Sequence, residues 1–298
     1  MAGQKWTQND ELLLKSRCGT GMSLDELSAS LGRTAYGVRQ KMDRMGLYNP
    51  HKFTKYISND SFWSVPNPIN SYWAGFIAAD GCVRKQGNSY SLMIQLQEED
   101  KGHLEKFLFA CGSTNVISTC LRPTSTKKDK FGNYCDIRIT NNKWQRDLEN
   151  NFNIFPAKTW NFSPPSLSEE LIPYWVAGFI DGDGCYSRLH NNHLLITITS
   201  AVQSSVDVVF DLFDKYKRQK GAAQRKIRRC GKNKQYFNFS VSGHPASEAA
   251  TFIMSLPCPH LERKYRKVAF VLQDKYNISL PPYEENQKDF LPKIKPAD

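Results

Sequence analysis

The sequence predicts an α+β protein in which two copies of one α-β-β-α-β-β-α unit follow a small three-helix domain. Three observations support this fold class. A short apolar segment that ends in an aspartate occurs twice, with the aspartates 103 residues apart. Alternating strand patterns that end at turn residues follow each copy. Residues 6–47 show only the helical spacing of apolar side chains.

Composition limits the classes of protein that fit. The chain has 298 residues, 40% of them hydrophobic, so it can bury a sizeable core. Forty Lys and Arg outweigh twenty-nine Asp and Glu, and a folded chain this basic commonly binds a polyanion, most often nucleic acid. A solvated cationic surface is the alternative that composition leaves open.

Several other classes do not fit the sequence. Eight cysteines without a C-x-x-C pair argue against metal ribbons and redox motifs, and Cys258-Pro-His260 lacks two further ligands nearby. The first residues have no long apolar core, and no run approaches the roughly 18 apolar residues of a membrane span. We therefore expect an intracellular, reduced, soluble protein that has no membrane partner.

The first domain contains three predicted helices. Thr7 caps a helix over residues 8–17, Ser23 caps the second helix, and Thr34 caps the third. The third helix turns a basic face outward, formed by Arg39, Lys41 and Arg44. A helix, a short turn at Gly32 and a basic helix form the helix-turn-helix arrangement, similar to Myb-like and resolvase-like domains.

The last helix of such a domain fits the major groove, so we predict that these three basic side chains contact DNA. A three-helix protein-interaction module has the same spacing and stays an alternative. We place this domain in residues 1–48 and a Pro-rich polar linker in 49–70. The first repeat then covers residues 71–160, the second 161–280, and a tail 281–298.

The two repeats can be aligned residue by residue at their beginnings. Ser71-Tyr-Trp-Ala-Gly-Phe-Ile-Ala-Ala-Asp-Gly-Cys82 matches Tyr174-Trp-Val-Ala-Gly-Phe-Ile-Asp-Gly-Asp-Gly-Cys185. In each repeat a hairpin, a helix, a second hairpin and a closing helix are predicted to follow. The first hairpins are Cys82–Lys85 with Tyr90–Gln97, and Cys185–His190 with Leu194–Thr199.

The repeated segments predict two helices that pack closely through small residues, around Gly75 and Gly178. A glycine follows each aspartate, and we expect it in the left-handed conformation that ends many helices. If the helices pair about a pseudo-twofold axis, Asp80 and Asp183 arrive side by side. Paired carboxylates repel unless a cation lies between them.

An Mg²⁺ ion, completed by water and phosphate oxygens, is therefore the predicted occupant, although another divalent cation would serve. Whether the backbone of the preceding residue, Ala79 in the first repeat, adds a ligand is left open. So is the alternative that each aspartate merely ends its helix.

Trp73-Ala-Gly-Phe-Ile-Ala-Ala-Asp-Gly81 and Val176-Ala-Gly-Phe-Ile-Asp-Gly-Asp-Gly184 resemble the LAGLIDADG motif of homing endonucleases in their single-chain, two-repeat form. The resemblance covers roughly residues 70–275. It implies two saddle-shaped antiparallel sheets along the major groove of double-stranded DNA. It also makes Asp80 and Asp183 the metal-binding, catalytic residues of a monomer, which hydrolyses both strands of a long target and leaves 3′ overhangs.

Two departures from the family pattern stand out. Ala78 replaces the acidic residue that the second motif carries as Asp181. The family's further polar and lysine residues near the scissile phosphates have no clear match. We align Glu98 and Ser200 with the polar position. Lys143 and Lys158 are substitutes for the lysine, and Lys158 and Leu261-Glu-Arg-Lys-Tyr265 resemble the segments that close each repeat.

Basic side chains cluster on the second hairpin of each repeat, which predicts DNA contacts there. The candidates are Lys127, Lys128, Lys130, Arg138, Arg225, Lys226, Arg228, Arg229, Lys232 and Lys234. A solvated face is the alternative for any one of them. Two other functions also stay open. One is an RNA maturase that holds an intron, and the other is a transcription regulator that no longer cuts.

Overall fold

The chain divides into two units, residues 1–57 and 58–298. The computed structural model describes residues 5–17, 22, 24–47, 56–87, 89–123, 131–157, 162–215, 228–230 and 236–290. No helix in these ranges is long and apolar enough to cross a membrane.

The first unit consists of three helices: α1 (Gln8–Arg17), α2 (Leu24–Ser30) and α3 (Ala35–Arg44). Thr7 caps α1, because its hydroxyl accepts from the Asp10 amide at 3.1 Å while the Asp10 carboxylate accepts from the Thr7 amide at 3.0 Å. Thr34 caps α3 by accepting from the Gly37 amide. Ser23, the predicted cap of α2, lies outside the described residues. The buried core of this unit is formed by Leu14, Leu27, Val38 and Met42.

The second unit begins earlier than predicted, because part of the expected linker is core. Trp63 is fully buried, and Phe62 packs edge-on against it at 4.6 Å between ring centroids. Asn59 accepts from the Trp144 indole at 2.9 Å, through its carbonyl oxygen. The linker prediction for 49–70 was therefore too long. The segment is rich in prolines and polar residues, and this composition does not indicate that Phe62 and Trp63 pack against α6 (Asn142–Phe152).

Both repeats have the predicted αββαββα order, which confirms the fold class. The first contains α4 (Pro68–Asp80), β1 (Gly81–Gln86), β2 (Ser89–Gln97), a 3-10 turn (Glu98–Asp100), α5 (Lys101–Ala110), β3 (Ser118–Pro123), β4 (Phe131–Thr140) and α6. The second contains α7 (Ile172–Asp183), β5 (Gly184–Arg188), β6 (Leu194–Ser200), α8 (Gln203–Lys215), β7 (Arg228–Cys230), β8 (Tyr236–Ser242) and α9 (His244–Ser255). Two further helices follow, α10 (Glu262–Tyr276) and α11 (Tyr283–Gln287).

Each repeat forms one antiparallel four-stranded sheet, in the order β1-β2-β4-β3 and β5-β6-β8-β7. The ladders begin alike, since Gly81 pairs with Ile94 and Gly184 pairs with Ile198. Side chains alternate along the inner strands, so that one face of each sheet packs into the core and the other stays open. This match in order, register and burial is the structural form of the sequence repeat.

The two motif helices, α4 and α7, pack backbone to backbone at a pair of glycines. A Cβ added at Gly75 would lie 1.9 Å from the carbonyl oxygen of Trp175, and one added at Gly178 would lie 1.8 Å from that of Tyr72. The two contacts are related by a pseudo-twofold axis, because Tyr72 and Trp175 occupy the same position in the two motifs. They confirm the predicted pseudo-twofold pairing, and no residue larger than glycine fits at either position.

Gly75→Ala and Gly178→Ala are each expected to lower the free energy of unfolding by at least about 3 kcal/mol, because a backbone oxygen cannot move aside without separating the helices. Gly102→Ala is the matched control, since Gly102 is also helical and an added Cβ there meets nothing within 4 Å. It should be neutral or stabilise by up to about 1 kcal/mol. Urea unfolding measures all three, and equal effects at the three glycines would contradict the packing argument.

Candidate active site at the paired helix ends

Asp80 and Asp183 are the last residues of α4 and α7, and both side chains are exposed. The two helix ends are adjacent. A Cβ added at Gly182 would lie 2.3 Å from the Cβ of Ala79 and 3.5 Å from the amide nitrogen of Asp80. The predicted approach of the two helix ends is therefore present in the structure, with one acidic residue on each.

The glycines that follow the aspartates do not adopt the predicted left-handed conformation. Gly81 has φ −78° and ψ 154°, and Gly184 has φ −78° and ψ 155°, which is extended backbone. Their need for glycine is steric instead. A Cβ at Gly81 would lie 2.6 Å from Cγ2 of Ile77, and one at Gly184 would lie 2.6 Å from Cγ2 of Ile180. The chain passes directly from helix to strand at both sites, which leaves no room for a side chain.

Lys264 on α10 holds the end of α7. Its buried ammonium lies within hydrogen-bond distance of four backbone carbonyl oxygens, those of Ile180 at 2.9 Å, Asp181 at 2.6 Å, Gly182 at 3.0 Å and Gly184 at 2.7 Å, and shares its three N–H donors among them. Helix C-terminal carbonyls have no intrahelical donors, so a buried cation satisfies both their hydrogen bonds and the negative end of the helix dipole.

The charges around Lys264 also connect it to the site. Burial lowers the pKa of the Lys264 ammonium, and the charges of Asp181, Asp80 and Asp183 act in the opposite direction. Sequence reasoning noted the segment Leu261–Tyr265 but assigned Lys264 no role. The only available signal was that segment's likeness to the closing segments of the repeats, and it did not show that a lysine side chain would reach helix carbonyls.

Asp181 is buried beside the helix pair and joins three elements. Its carboxylate accepts from the Tyr72 hydroxyl on α4 at 2.7 Å and from the Leu261 amide at the start of α10 at 3.0 Å. The corresponding position in the first motif is Ala78, and that of Tyr72 in the second is Trp175. The difference between the motifs at this position therefore produces a cross-link of α4, α7 and α10 on one side only.

Two buried histidines surround this cross-link and are neutral near pH 7. Burial lowers the pKa of both His103 and His260, that of His103 strongly. Since the Tyr72 proton goes to Asp181, the Nε2–H of His103 donates to Tyr72 at 3.1 Å, and its buried Nδ1 finds no partner in the described residues. Cys258 lies 3.6 Å from Nε2 of His260, and burial raises the pKa of its thiol well above the usual range. Both side chains are fully buried, so Cys258-Pro-His260 is part of the core.

Lys106 on α5 is the third buried base near this network. Its ammonium donates to the His260 carbonyl oxygen at 2.8 Å, to the Tyr283 hydroxyl and to the side-chain oxygen of Gln287. The last two partners belong to α11, so Lys106 connects the first repeat to this last helix of the described residues. Burial lowers the pKa of Lys106 to about 7.

The predicted polar residues occupy different places in the two ladders. Glu98 is exposed on the 3-10 turn after β2. Ser200 is still part of β6, paired with Phe237, and its hydroxyl accepts from the Val202 amide at 3.1 Å. Their use in catalysis stays a prediction.

Lys143 is engaged elsewhere. Its ammonium pairs with Asp147 at 2.7 Å and donates to the Ser64 hydroxyl at 2.6 Å and to the Asp60 carbonyl oxygen at 3.1 Å. These contacts fasten residues 58–64 to α6, so the structure does not support Lys143 as a substitute for the family lysine. Lys158 lies outside the described residues.

Some predicted DNA contacts can be located. Arg39 and Arg44 are exposed on α3, whereas Lys41 is partly buried by an ion pair with Glu11. In the second unit, Arg138, Arg228 and Arg229 are exposed on strands. The candidates outside the described residues are Lys127, Lys128, Lys130, Arg225, Lys226, Lys232 and Lys234.

The paired helix ends suit a hard cation. No group of three or more His, Cys, Asp and Glu side chains in the described ranges is arranged to hold a metal. The site offers oxygen donors alone, the carboxylates of Asp80 and Asp183, and Mg²⁺ commonly uses one or two carboxylates and completes its shell with water and phosphate oxygens. The chemistry of the donors therefore fits a divalent cation that binds together with a phosphodiester.

Two of the solved structures that are similar to this one are complexes with DNA. One is the LAGLIDADG homing endonuclease I-GzeII in complex with its DNA target, with 13% identity over 75% of this chain and 97% of that chain and a TM-score of 0.43. The other is a variant of I-DmoI in complex with its target DNA in the presence of manganese, with 14% identity over 68% of this chain and 97% of that chain and a TM-score of 0.42. With TM-scores below 0.5, neither likeness assigns the chain to a family. No family model matches the sequence, and no curated protein does.

The buried Lys106 predicts a pH-dependent stability. Its pKa is about 7 in the folded chain and near 10.5 when unfolded. Between these values the unfolded chain holds more protons, so this residue's contribution to the free energy of unfolding increases with pH, by at most about 1.4 kcal/mol per unit.

Urea unfolding of the wild type and Lys106→Met should be compared from pH 6 to 9. Subtracting the two free energies of unfolding at each pH removes the contributions of the other titrating groups. The free energy of unfolding of the wild type should increase relative to that of the variant as the pH rises above 7. A difference that stays constant over this range would show that Lys106 keeps an ordinary pKa.

Proposed function

We propose that the chain is a LAGLIDADG DNA endonuclease that hydrolyses both strands of a long target. The observation that carries the proposal is the pair of aspartates at adjacent helix ends, each followed at once by the first strand of an open-faced sheet. The pseudo-twofold pairing relates the two carboxylates as the two strands of a duplex are related. One chain therefore offers one acidic group for each strand, and we propose that it acts as a monomer.

The chemistry follows from the donors at the helix ends. Asp80 and Asp183 would hold a cation that binds together with the phosphodiester, and their carboxylates would orient water toward it. A bound Mg²⁺ or similar ion would stabilise the charge on the attacking and leaving oxygens. Lys264 holds the backbone at the end of α7, and the cross-link through Asp181 holds α4 beside it. These contacts limit the freedom of both carboxylates, which hydrolysis at a defined phosphate requires.

The proposed substrate is duplex DNA, because two open sheet faces and a net charge of +11 suit a long polyanion. Each sheet face would lie in the major groove of one half-site, where side chains meet base edges. The helices of the first unit would add a linked contact through Arg39 and Arg44, which lengthens the sequence that is read. Offset cuts on the two strands would leave 3′ overhangs.

Asp80→Asn and Asp183→Asn are each expected to abolish double-strand cleavage while DNA binding is kept, because the amide cannot hold a cation as a carboxylate does. The target is first selected from a randomised duplex pool, and cleavage is then measured with Mg²⁺ and with Ca²⁺. Asp211→Asn is the matched control, since Asp211 is an exposed aspartate on α8.

Cleavage by the wild type and the control, lost in both site variants, supports the proposal. Tight binding of duplex without cleavage in either metal contradicts it and favours the non-cutting regulator. Preferred binding of intron RNA would favour the maturase.

Arg44→Ala tests the role of the first unit. If α3 contacts DNA, this variant should bind the target more weakly, and the slope of log affinity against log salt should decrease by about one. Lys15→Ala on α1 removes an equally exposed charge from another helix and should change neither quantity. Equal behaviour of the two variants would favour a protein-interaction role for the three helices.

A further inference from the structure

The two sheets can be compared position by position, because both ladders start at the glycine after the motif aspartate. The first row faces the core, and in it Gly81, Ile94 and Ile137 match Gly184, Ile198 and Phe239. One residue further out, Cys82, Met93 and Arg138 match Cys185, Thr197 and Ser240. Two residues beyond, Arg84, Ser91 and Thr140 match Ser187, Leu195 and Ser242.

The two outer rows differ at several positions, and one of the differences is in charge. The first sheet carries a guanidinium in each of these two rows, Arg138 on β4 and Arg84 on β1, and both are exposed. The second sheet carries Ser240 and Ser187 at the matched positions. Each sheet also has an exposed arginine on β3 or β7, Arg122 or Arg228, so the difference in charge lies on β4 and β1.

The hydrogen-bonding state of the two faces differs as well. Arg138 has one side-chain contact in the described structure, to the weak acceptor sulfur of Met93 at 3.7 Å. Arg122, in contrast, donates to Gln95 at 3.0 Å and lies 3.7 Å from the Asp136 carboxylate. Arg138 therefore keeps nearly all of its donors for a ligand.

On the second sheet the polar groups bond to one another. The hydroxyls of Thr197 and Ser240 lie 3.2 Å apart, and Ser240 donates to the side-chain oxygen of Asn238 at 3.3 Å. The amide of Asn238 donates in turn to the Thr199 hydroxyl at 2.9 Å. Short hydroxyls that already have partners cannot form the two parallel bonds that distinguish one base from another.

We infer that the first sheet selects guanine in the inner part of its half-site through Arg138 and Arg84, and that the second sheet accepts several bases at the matched positions. This inference rests on the proposed DNA function. A guanidinium in the major groove bonds the O6 and N7 of guanine together, a pattern that no other base offers.

The two arginines occupy different strands of the sheet. Arg138 is on β4, a central strand, and Arg84 is on β1, the edge strand that continues directly from α4. In the proposed complex a central strand would face the floor of the groove and not its phosphate walls, which favours a base contact for Arg138. The row of Arg138 is one residue from Gly81 and therefore lies near the cut. Arg84 lies in a row two residues further along the strands, about 6.6 Å, and two strands across from Arg138, about 9.6 Å, so the two side chains would reach different base pairs.

The test uses the full-length chain and its selected target. All base pairs of the two inner half-sites are randomised, and bound and cleaved duplexes are sequenced. Wild type should require guanine at one or two positions in one half-site only. Arg138→Ala should lose roughly tenfold or more of the preference at one position and keep the others. Ser240→Arg should create a guanine preference at the matched position of the other half-site.

Arg122→Ala is the control, because its partly paired guanidinium on the outer strand is expected to affect all sequences alike. A uniform loss of affinity in Arg138→Ala would overturn the inference, since it would identify a phosphate contact. Cleavage without guanine preference in either half would also overturn it and leave the nuclease proposal intact. If wild type selects no duplex at all, the proposed function fails and this inference fails with it.

Discussion

The contact between the backbones of α4 and α7 is the constraint on which the second unit depends. At Gly75 and Gly178 each helix places a carbonyl oxygen where the other's side chain would be. Such an approach fixes the separation and the register of the helices together, because a shift along either axis would bring a bulky neighbour into the contact. Each helix continues directly into its sheet, so the same contact also fixes the two sheets relative to each other.

A contact this close brings the C-terminal ends of α4 and α7 and the side chains of Asp80 and Asp183 into one region, and the buried polar groups that stabilise this region lie on the α7 side. Lys264 satisfies the carbonyls at the end of α7, and Asp181 joins α7 to α4 and to the start of α10. Removing one partner of such a buried set leaves the other without compensation, which commonly costs several kcal/mol. The polar network is therefore part of what holds the helix ends in place.

Much of this architecture could be predicted from the sequence, because the repeat shows itself twice and each copy contains local signals. Small residues predicted the helix pairing, alternation predicted the hairpins, and Thr7 and Thr34 predicted two helix starts. The sequence did not predict the structure correctly where a tertiary contact determines the conformation or the burial of a residue. Gly81 suggested a left-handed turn, yet its neighbour Ile77 makes glycine necessary in an extended conformation. Trp63 stands among prolines and polar residues, and nothing local shows that α6 covers it. Lys264 reaches carbonyls that are 80 or more residues away in sequence.

The two repeats are most alike where their motif helices pack against each other, and they differ more on the exposed faces of their sheets. The packing explains this pattern. At the closest contact of the helices, Gly75 and Gly178, both copies have glycine, since each contact involves the backbone of the other half and neither can change alone. Ala78 and Asp181 lie one turn further along, where a side chain has room, so a carboxylate could be accommodated on the side where Tyr72 and Leu261 provide donors. On the open faces Arg138 and Ser240 differ completely at one ladder position. A single chain that holds both halves is free to vary in this way, whereas a symmetric dimer would have to place the same residue at both positions.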